Sequence, residues 1–168
     1  LWDAGKNVAV LDRAARQMRT PVAAAGAVAG PHGETIALSN IDSLGHLDAA
    51  GVAERLNRAA VFASLALYEP FGLGVLEAAQ AGCALVLSDI PTFRELWDGA
   101  AVFVSPHDAD EAARVLDAVA SDPAERSRLS RKAKARAQLY SLQTSADGTL
   151  AVYAEVMATR APVREVAA

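Results

Sequence analysis

The stretch that decides the fold reads Tyr68-Glu69-Pro70-Phe71-Gly72-Leu73-Gly74-Val75-Leu76-Glu77. It joins an apolar run at 60–67 to a helical pattern that ends near residue 81, and a second apolar run follows at 83–87. Strand, turn, helix and strand in this order predict a βαβ unit with two parallel strands. The glycine-rich turn opens straight into the helix. It therefore offers unpaired N–H groups and the positive end of the helix dipole to an anionic ligand.

The rest of the chain continues this alternation of strands and helices. Three more apolar runs predict strands, at 22–28, 41–47 and 101–104. Helical periodicity predicts helices over 6–18, 48–58, 92–97, 108–120, 122–140 and 144–159, with Asp48 and Asp108 as N-caps. The strands are continuous apolar runs, so we expect an α/β fold with a doubly wound parallel sheet, covered on both faces and followed by C-terminal helices. Ligands of such sheets bind beyond the carboxyl ends of the strands.

Composition narrows the class of protein. The 168 residues fit one domain, 52% of them are apolar, and the net charge of −4 argues against a nucleic-acid partner. The single cysteine, Cys83, lies in an apolar run, which predicts a buried thiol and a reducing compartment such as the cytoplasm. We find no signal peptide, membrane-spanning run or metal-ligand cluster in the sequence. The chain begins with Leu1, which predicts a fragment of a longer protein.

The two carboxylates of the opening stretch are candidate ligand-binding groups. Glu69 ends a buried strand, and Glu77 is expected in the first turn of the next helix. Carboxylates accept hydrogen bonds from hydroxyls, which sugars and riboses provide. The alternative is that both are solvated, with Glu77 merely stabilising the helix dipole. Gly72 and Gly74 favour the ligand-binding interpretation, because glycine lets a ligand approach the backbone closely.

These residues resemble a known family. The spacing of Glu69 and Glu77 is similar to the E-x7-E motif of retaining glycosyltransferases with the GT-B fold, in the glycogen-synthase and sucrose-synthase-like group (family 4). The resemblance covers nearly the whole chain and keeps the family's order of segments. The other matching segments are Asp3-Ala4-Gly5-Lys6-Asn7, Ser43-Leu44-Gly45-His46-Leu47, Gly82-Cys83-Ala84-Leu85-Val86-Leu87-Ser88-Asp89-Ile90-Pro91, Arg94-Glu95, Gly99-Ala100-Ala101, and Pro106 with Asp108.

The resemblance implies a role for each matching position. Glu69 would lie beside the donor sugar and its anomeric carbon, and Lys6 would neutralise the diphosphate leaving group. Glu77 would bind the ribose. The remaining donor contacts would come from the backbone of Phe71, Gly72 and Leu73 and, near the nucleobase, from Gly45, His46 and Leu47. No cofactor or metal ion is implied.

The resemblance also implies a domain organisation. Residues 1–160 would be the C-terminal, nucleotide-sugar-binding domain of a hexosyltransferase, Rossmann-like half of a GT-B fold, and 161–168 a tail. The donor would be a UDP- or GDP-hexose, transferred with retention to an acceptor sugar, lipid or small molecule bound by an N-terminal domain that this chain lacks. The isolated chain is therefore expected to be inactive.

Departures from the family pattern keep alternatives open. Leu65 stands where the family has proline, which predicts a looser loop before Glu69, and the family's arginine would precede Leu1. A non-catalytic nucleotide-sugar-binding module, or a degenerate domain, is the main alternative, and a sugar-nucleotide epimerase is a third. The basic residues of 126–136 predict either a solvated helix face or peripheral contact with a membrane.

Overall fold

The computed structural model describes residues 1–159, so the tail expected at its C-terminal end lies outside the described residues. The strands are β1 Ala23–Ala24, β2 Asp42–Ser43, β3 Val61–Ser64, β4 Ala84–Ser88 and β5 Val102–Val104. The helices are α1 Val8–Ala15, α2 Ala49–Arg58, α3 Leu73–Ala81, α4 Pro91–Trp97, α5 Ala109–Ser121, α6 Pro123–Ala137 and α7 Leu142–Thr159. Short 3-10 turns at Ala4–Lys6 and Gln138–Tyr140 precede α1 and α7.

The strand pairings confirm the predicted βαβ unit. β3 and β4 run parallel, with Val61 opposite Ala84, and β5 pairs in parallel on the other side of β4. All of β4 is buried, because its alternate side chains enter two different cores. Val86 packs with α1 and α5 on one face, whereas Leu85 and Leu87 pack with α3, α4 and α6 on the other. The sheet is therefore covered by helices on both faces, as a doubly wound α/β layer requires.

Capping side chains fix the starts of three helices. Asp48 accepts a hydrogen bond from Gly51 N and Asp108 accepts one from Glu111 N, so both predicted N-caps are confirmed. Asp122 accepts from the N–H groups of Ala124 and Glu125 at the start of α6. Cys83 is buried as predicted, and burial raises the pKa of its thiol.

The first two strands are much shorter than the sequence predicts. β1 and β2 contain two residues each and pair only with each other, so the strands of residues 1–159 form two sheets. Gly26, at φ 135°, takes the backbone out of β1 and donates to Gly45 O. The N-terminal segment lies between the sheets, since Trp2 N donates to Ala27 O and Leu67 N donates to Gly5 O.

The last helix extends away from both cores. α7 contacts the Gln138–Tyr140 turn, and its large apolar side chains are exposed. They are Leu142, Leu150, Val152, Tyr153, Val156 and Met157. None of the helices within residues 1–159, α7 included, combines the length and hydropathy needed to cross a membrane.

The basic residues of α6 are largely engaged with the protein itself. Arg126 donates to Ala120 O, Arg128 pairs with Glu125, and Arg136 donates to the carbonyls of Leu96 and Asp98. Arg136 thereby ties the end of α6 to the end of α4. Many of the basic side chains of α6 therefore form contacts within the domain itself.

Candidate active site

An ion pair marks the carboxyl end of β3. The Ala4–Lys6 turn begins at Asp3, whose side chain accepts from Gly5 N, and it places Lys6 opposite the segment that follows β3. Lys6 Nζ donates to Glu69 Oε2 at 2.5 Å. The Lys6 side chain is 48% exposed, whereas Glu69 is only 15% exposed. The two residues predicted to do the chemistry are therefore in contact, with the cation facing solvent.

A cradle of backbone N–H groups adjoins this pair. Gly72 adopts a left-handed conformation (φ 86°, ψ 66°) and caps α3, so the helix begins at Leu73. Its carbonyl accepts from Val75 N and Leu76 N. Within residues 1–159, no protein oxygen accepts from the N–H groups of Phe71, Gly72 and Leu73. Free N–H groups at a helix N-terminus bind anions, so the geometry fits a phosphate next to Lys6.

Side chains pack closely around the backbone of the cradle. A Cβ on Gly72 would lie 3.1 Å from Val75 Cγ2 and 3.3 Å from Glu69 Cγ, so glycine fits this position closely. The Phe71 ring packs edge-on against Tyr140 at 5.5 Å between centroids. Phe71 therefore offers its N–H to the site while its ring is held by the C-terminal part of the domain.

The segment before Glu69 is firmly packed. Leu65 and Ala66 are buried in the two cores. Ser88 Oγ donates to Ala66 O at 2.5 Å, and Leu67 N donates to Gly5 O. The loose loop predicted from the replacement of proline by Leu65 is not observed, because leucine at this position fills the core.

The sequence predicts Glu77 in the first turn of α3, but the structure places it further along the helix. The helix begins at Leu73, so Glu77 is in its second turn, and the first turn contains no acidic residue. The prediction was wrong because Gly74 was assigned to the turn, whereas it is helical. Glu77 is exposed and, among the described residues, forms no hydrogen bond or ion pair. Its carboxylate is open to a ligand one turn further along the helix than expected.

The loop predicted to contact the nucleobase lies at the end of β2. Gly45 has φ 65°, accepts from Gly26 N at 2.7 Å, and precedes His46 and Leu47 before α2 begins. His46 is exposed. The contacts recorded over residues 1–159 bring Lys6, Glu69 and the cradle together but do not join this loop to them.

Sequence reasoning missed two polar anchors, the half-buried Asn7 and the buried Asp12. Asn7 Nδ2 donates to Leu65 O at 2.8 Å and to Pro106 O at 2.7 Å. Asp12, only 8% exposed, accepts from the N–H groups of Ser39, Asn40 and Ile41. An aspartate between apolar helix positions was a usable signal for Asp12, whereas Asn7 was hidden by its place in a turn.

The donor set of the site is suited to an anion and to hydroxyls. One lysine and three N–H groups provide positive charge, and two carboxylates provide acceptors. Within residues 1–159, no cluster of three His, Cys, Asp or Glu side chains is arranged to hold a metal ion. A helix N-terminus at the carboxyl edge of a parallel sheet is the place where α/β domains commonly bind phosphorylated ligands, and the class of fold here is such an α/β domain.

Comparison with known proteins gives the family. Residues 34–136 match the family described as "Glycosyl transferases group 1", and the chain belongs to it. Glycogen synthase of Mycobacterium tuberculosis (strain CDC 1551 / Oshkosh) is 38% identical over 113 residues, which cover 66% of this chain and 27% of that protein. The chain thus spans about a quarter of the length of this relative.

Solved structures share the fold. Sucrose-phosphate synthase from Thermosynechococcus elongatus superposes with a TM-score of 0.81 at 20% identity, over 95% of this chain and 44% of that one. Anabaena Alr3699/HepE, solved in complex with UDP-glucose, gives a TM-score of 0.69 at 18% identity, over 80% and 41% of the two chains. The fold is therefore that of one half of a GT-B glycosyltransferase.

Proposed function

We propose that this chain is the donor-binding half of a hexosyltransferase that uses a nucleoside-diphosphate sugar and retains the anomeric configuration. One observation carries the proposal: Lys6 and Glu69 are paired directly beside three free N–H groups at the start of α3. An anion and a sugar ring can be held there side by side. Family membership supports sugar transfer as the reaction class.

The chemistry of the site matches the demands of that reaction. As the glycosidic bond to the diphosphate breaks, negative charge grows on the leaving group. Lys6 and the N–H groups of Phe71, Gly72 and Leu73 stabilise this charge as it develops, which lowers the barrier. Glu69 accepts hydrogen bonds from the sugar hydroxyls, and Glu77 accepts them from the ribose. Lys6 exchanges its contact with Glu69 for the diphosphate when the donor binds.

UDP is the first nucleotide to test. The fold neighbour from Anabaena was solved with UDP-glucose, and His46 in the loop Gly45-His46-Leu47 is exposed and so accessible to a base. A GDP-hexose remains the other donor class.

The acceptor site belongs, in this proposal, to a second domain that packs against α7. The exposed apolar side chains of that helix, among them Leu150, Tyr153 and Met157, support a docking role. The lengths of the relatives support a second domain as well, since the chain spans only 27% of the glycogen synthase and 44% of the sucrose-phosphate synthase.

The first test is nucleotide binding by the full-length protein. Calorimetric titration with UDP, GDP and ADP is expected to give saturable binding of at least one of them. Lys6→Ala should weaken that binding about tenfold, since a charged hydrogen bond contributes roughly 1.5–3 kcal/mol. Lys134→Ala, on the exposed face of α6, is the matched control and should bind as the wild type does. A wild type that binds none of the three, with its fold intact by circular dichroism, refutes the donor site.

The second test separates the two carboxylates. Glu69→Ala should reduce kcat by about 100-fold or more, a typical loss for a group at the reacting centre, with nucleotide affinity retained. Glu77→Ala should instead weaken nucleotide binding. Glu54→Ala is the control, because Glu54 forms only an exposed pair with Arg58 at 3.5 Å. Equal, negligible effects of Glu69→Ala and Glu77→Ala would contradict the assignment of roles, and a wild type that binds UDP but transfers no sugar would favour a non-catalytic module.

A further inference from the structure

Asn7 occupies an unusual backbone conformation next to Lys6. It has φ 55° and ψ 32°, and it is the single non-glycine residue with positive φ among residues 1–159. Its N–H donates to Ala4 O and its carbonyl accepts from Val10 N, so it joins the Lys6 turn to α1. A left-handed backbone is unfavourable for most residues, whereas glycine and, less often, asparagine and aspartate adopt it. Glycine would satisfy the backbone alone, so the asparagine side chain needs a separate explanation.

The side chain provides that explanation. Asn7 Nδ2 donates one N–H to Leu65 O at 2.8 Å and the other to Pro106 O at 2.7 Å. Leu65 directly follows β3 and Pro106 follows β5, so a single amide bridges the carboxyl ends of two strands. Both partners are carbonyl oxygens, which fixes the amide orientation because only its NH₂ group donates.

Lys6 is thereby held from both sides. On one side Gly5 O accepts from Leu67 N at 2.9 Å, and on the other the Asn7 amide bonds to Leu65 O. Leu65 and Leu67 belong to the same short segment that leads to Glu69. The flexible lysine is therefore attached to a backbone that is tied to the backbone of its ion-pair partner.

We propose that Asn7 is a positioning residue, which holds the Lys6 turn against the ends of β3 and β5 so that Nζ reaches the diphosphate of the donor. This inference rests on the proposed function, since it presumes that Lys6 binds a diphosphate. Asn7 itself touches no substrate. Its amide prevents the turn from moving away from Glu69 and the α3 cradle, so the positive charges converge before the ligand arrives.

The test uses Asn7→Gly in the full-length protein. Glycine keeps the left-handed backbone and removes only the two hydrogen bonds of the Asn7 side chain. The affinity for UDP is expected to fall about tenfold, because Lys6 Nζ is no longer held where the diphosphate binds. The affinity for UMP, which lacks the phosphate that Lys6 binds, should change less than about twofold on the same reasoning. Asn57→Gly, at an exposed position of α2, is the matched control.

A double-mutant cycle decides whether Asn7 acts through Lys6. In a Lys6→Ala background, Asn7→Gly should no longer change UDP affinity, because the group it positions is gone. A full effect in that background, an equal loss of UDP and UMP affinity, or no change at all would each overturn the proposal. If the glycine variant melts too early to titrate, the same UDP and UMP titrations at a lower temperature decide between these outcomes.

The same titrations distinguish a failure of the proposed donor site from a failure of the positioning role of Asn7. A wild type that binds neither UDP nor GDP nor ADP overturns the donor site and, with it, the role of Asn7. A wild type that binds UDP normally while Asn7→Gly does the same overturns the positioning role alone.

Discussion

Gly72 carries two constraints that reinforce each other. Its φ of 86° disfavours any side chain, and a Cβ would approach Val75, Glu69 and Phe93 within 3.3 Å. Phe93 is fully buried and cannot yield easily. The backbone turn that frees the cradle N–H groups and the placement of Glu69 therefore depend on the same glycine.

Gly72→Ala is expected to lower the free energy of unfolding by about 2–4 kcal/mol, the sum of a left-handed alanine and local overpacking. Urea denaturation measures this loss. Nucleotide affinity should fall as well, because Glu69 and the first turn of α3 must shift. Gly99→Ala isolates the backbone cost, since Gly99 has φ 75° and no atom within 4 Å of a built Cβ. Equal losses for the two variants would show that the contacts around Gly72 are unimportant.

Individual elements differ in how far the sequence predicts them. Helices α2 and α5 begin where Asp48 and Asp108 predict, because a capping side chain acts on N–H groups two or three residues away. The strand predicted at 22–28 is only Ala23–Ala24, because its length depends on a partner strand distant in sequence. The position of Glu77 is predicted one turn too early for a third reason: Gly74 resembles a turn residue but belongs to α3, where a Cβ in its place would lie 3.7 Å from the Phe62 ring.

A buried carboxylate links α1 to the segment that leads into β2. Burial alone would raise the pKa of Asp12, but hydrogen bonds from Asn40, Ser39 and Ile41 outweigh it and lower the pKa below its ordinary value. The ionised form is thus preferred in the folded protein. The stabilisation it provides is present above the unfolded-state pKa and is lost as the pH falls through the lower folded-state pKa.

Asp12→Asn is expected to reduce the free energy of unfolding by about 1–3 kcal/mol at pH 7, because the amide turns a donor towards N–H groups. The difference between variant and wild type should narrow below about pH 4, the ordinary pKa of an unfolded aspartate. Urea denaturation of both proteins at pH 7, 5 and 3 measures this difference in the free energy of unfolding. Asp42→Asn, an exposed position in β2, is the control. A difference that stays constant down to pH 3 would contradict a role for the ionised carboxylate.

At the scale of the whole molecule, the parallel α/β layer follows from sequence reasoning, whereas the family resemblance points to Lys6 and Glu69 as site residues without predicting their direct contact. The split of the strands into two sheets does not follow from the sequence. Leu1 and Trp2 both donate to Ala27 O beside β1, while Gly5 accepts from Leu67 beyond β3. The N-terminal segment thus links the two sheets at the edge that holds the site. The contact of Leu1 with Ala27 joins residues 26 positions apart, and that of Gly5 with Leu67 joins residues about 62 positions apart. No local sequence pattern encodes contacts of this range.

The C-terminal part of the domain supports the cradle from a distance in sequence. Tyr140 lies beyond the residues 34–136 that match the family. Its ring packs against Phe71 at 5.5 Å and Trp97 at 6.0 Å, and its hydroxyl donates to Leu96 O at 3.3 Å. The turn that follows α6 therefore closes over the segment between Glu69 and α3.

Tyr140→Ala should cost about 2–4 kcal/mol of unfolding free energy through lost aromatic packing, and should weaken UDP binding because Phe71 loses its support. Tyr140→Phe keeps the ring and removes only a long hydrogen bond, so its cost should stay below about 1 kcal/mol. Leu139→Ala, which is 60% exposed in the same turn, is the control for removing a large side chain there. Urea denaturation and calorimetry with UDP measure the two effects. If Tyr140→Ala unfolds more easily but binds UDP like the wild type, the cradle is held by Gly72 and its neighbours without help from the C-terminal turn.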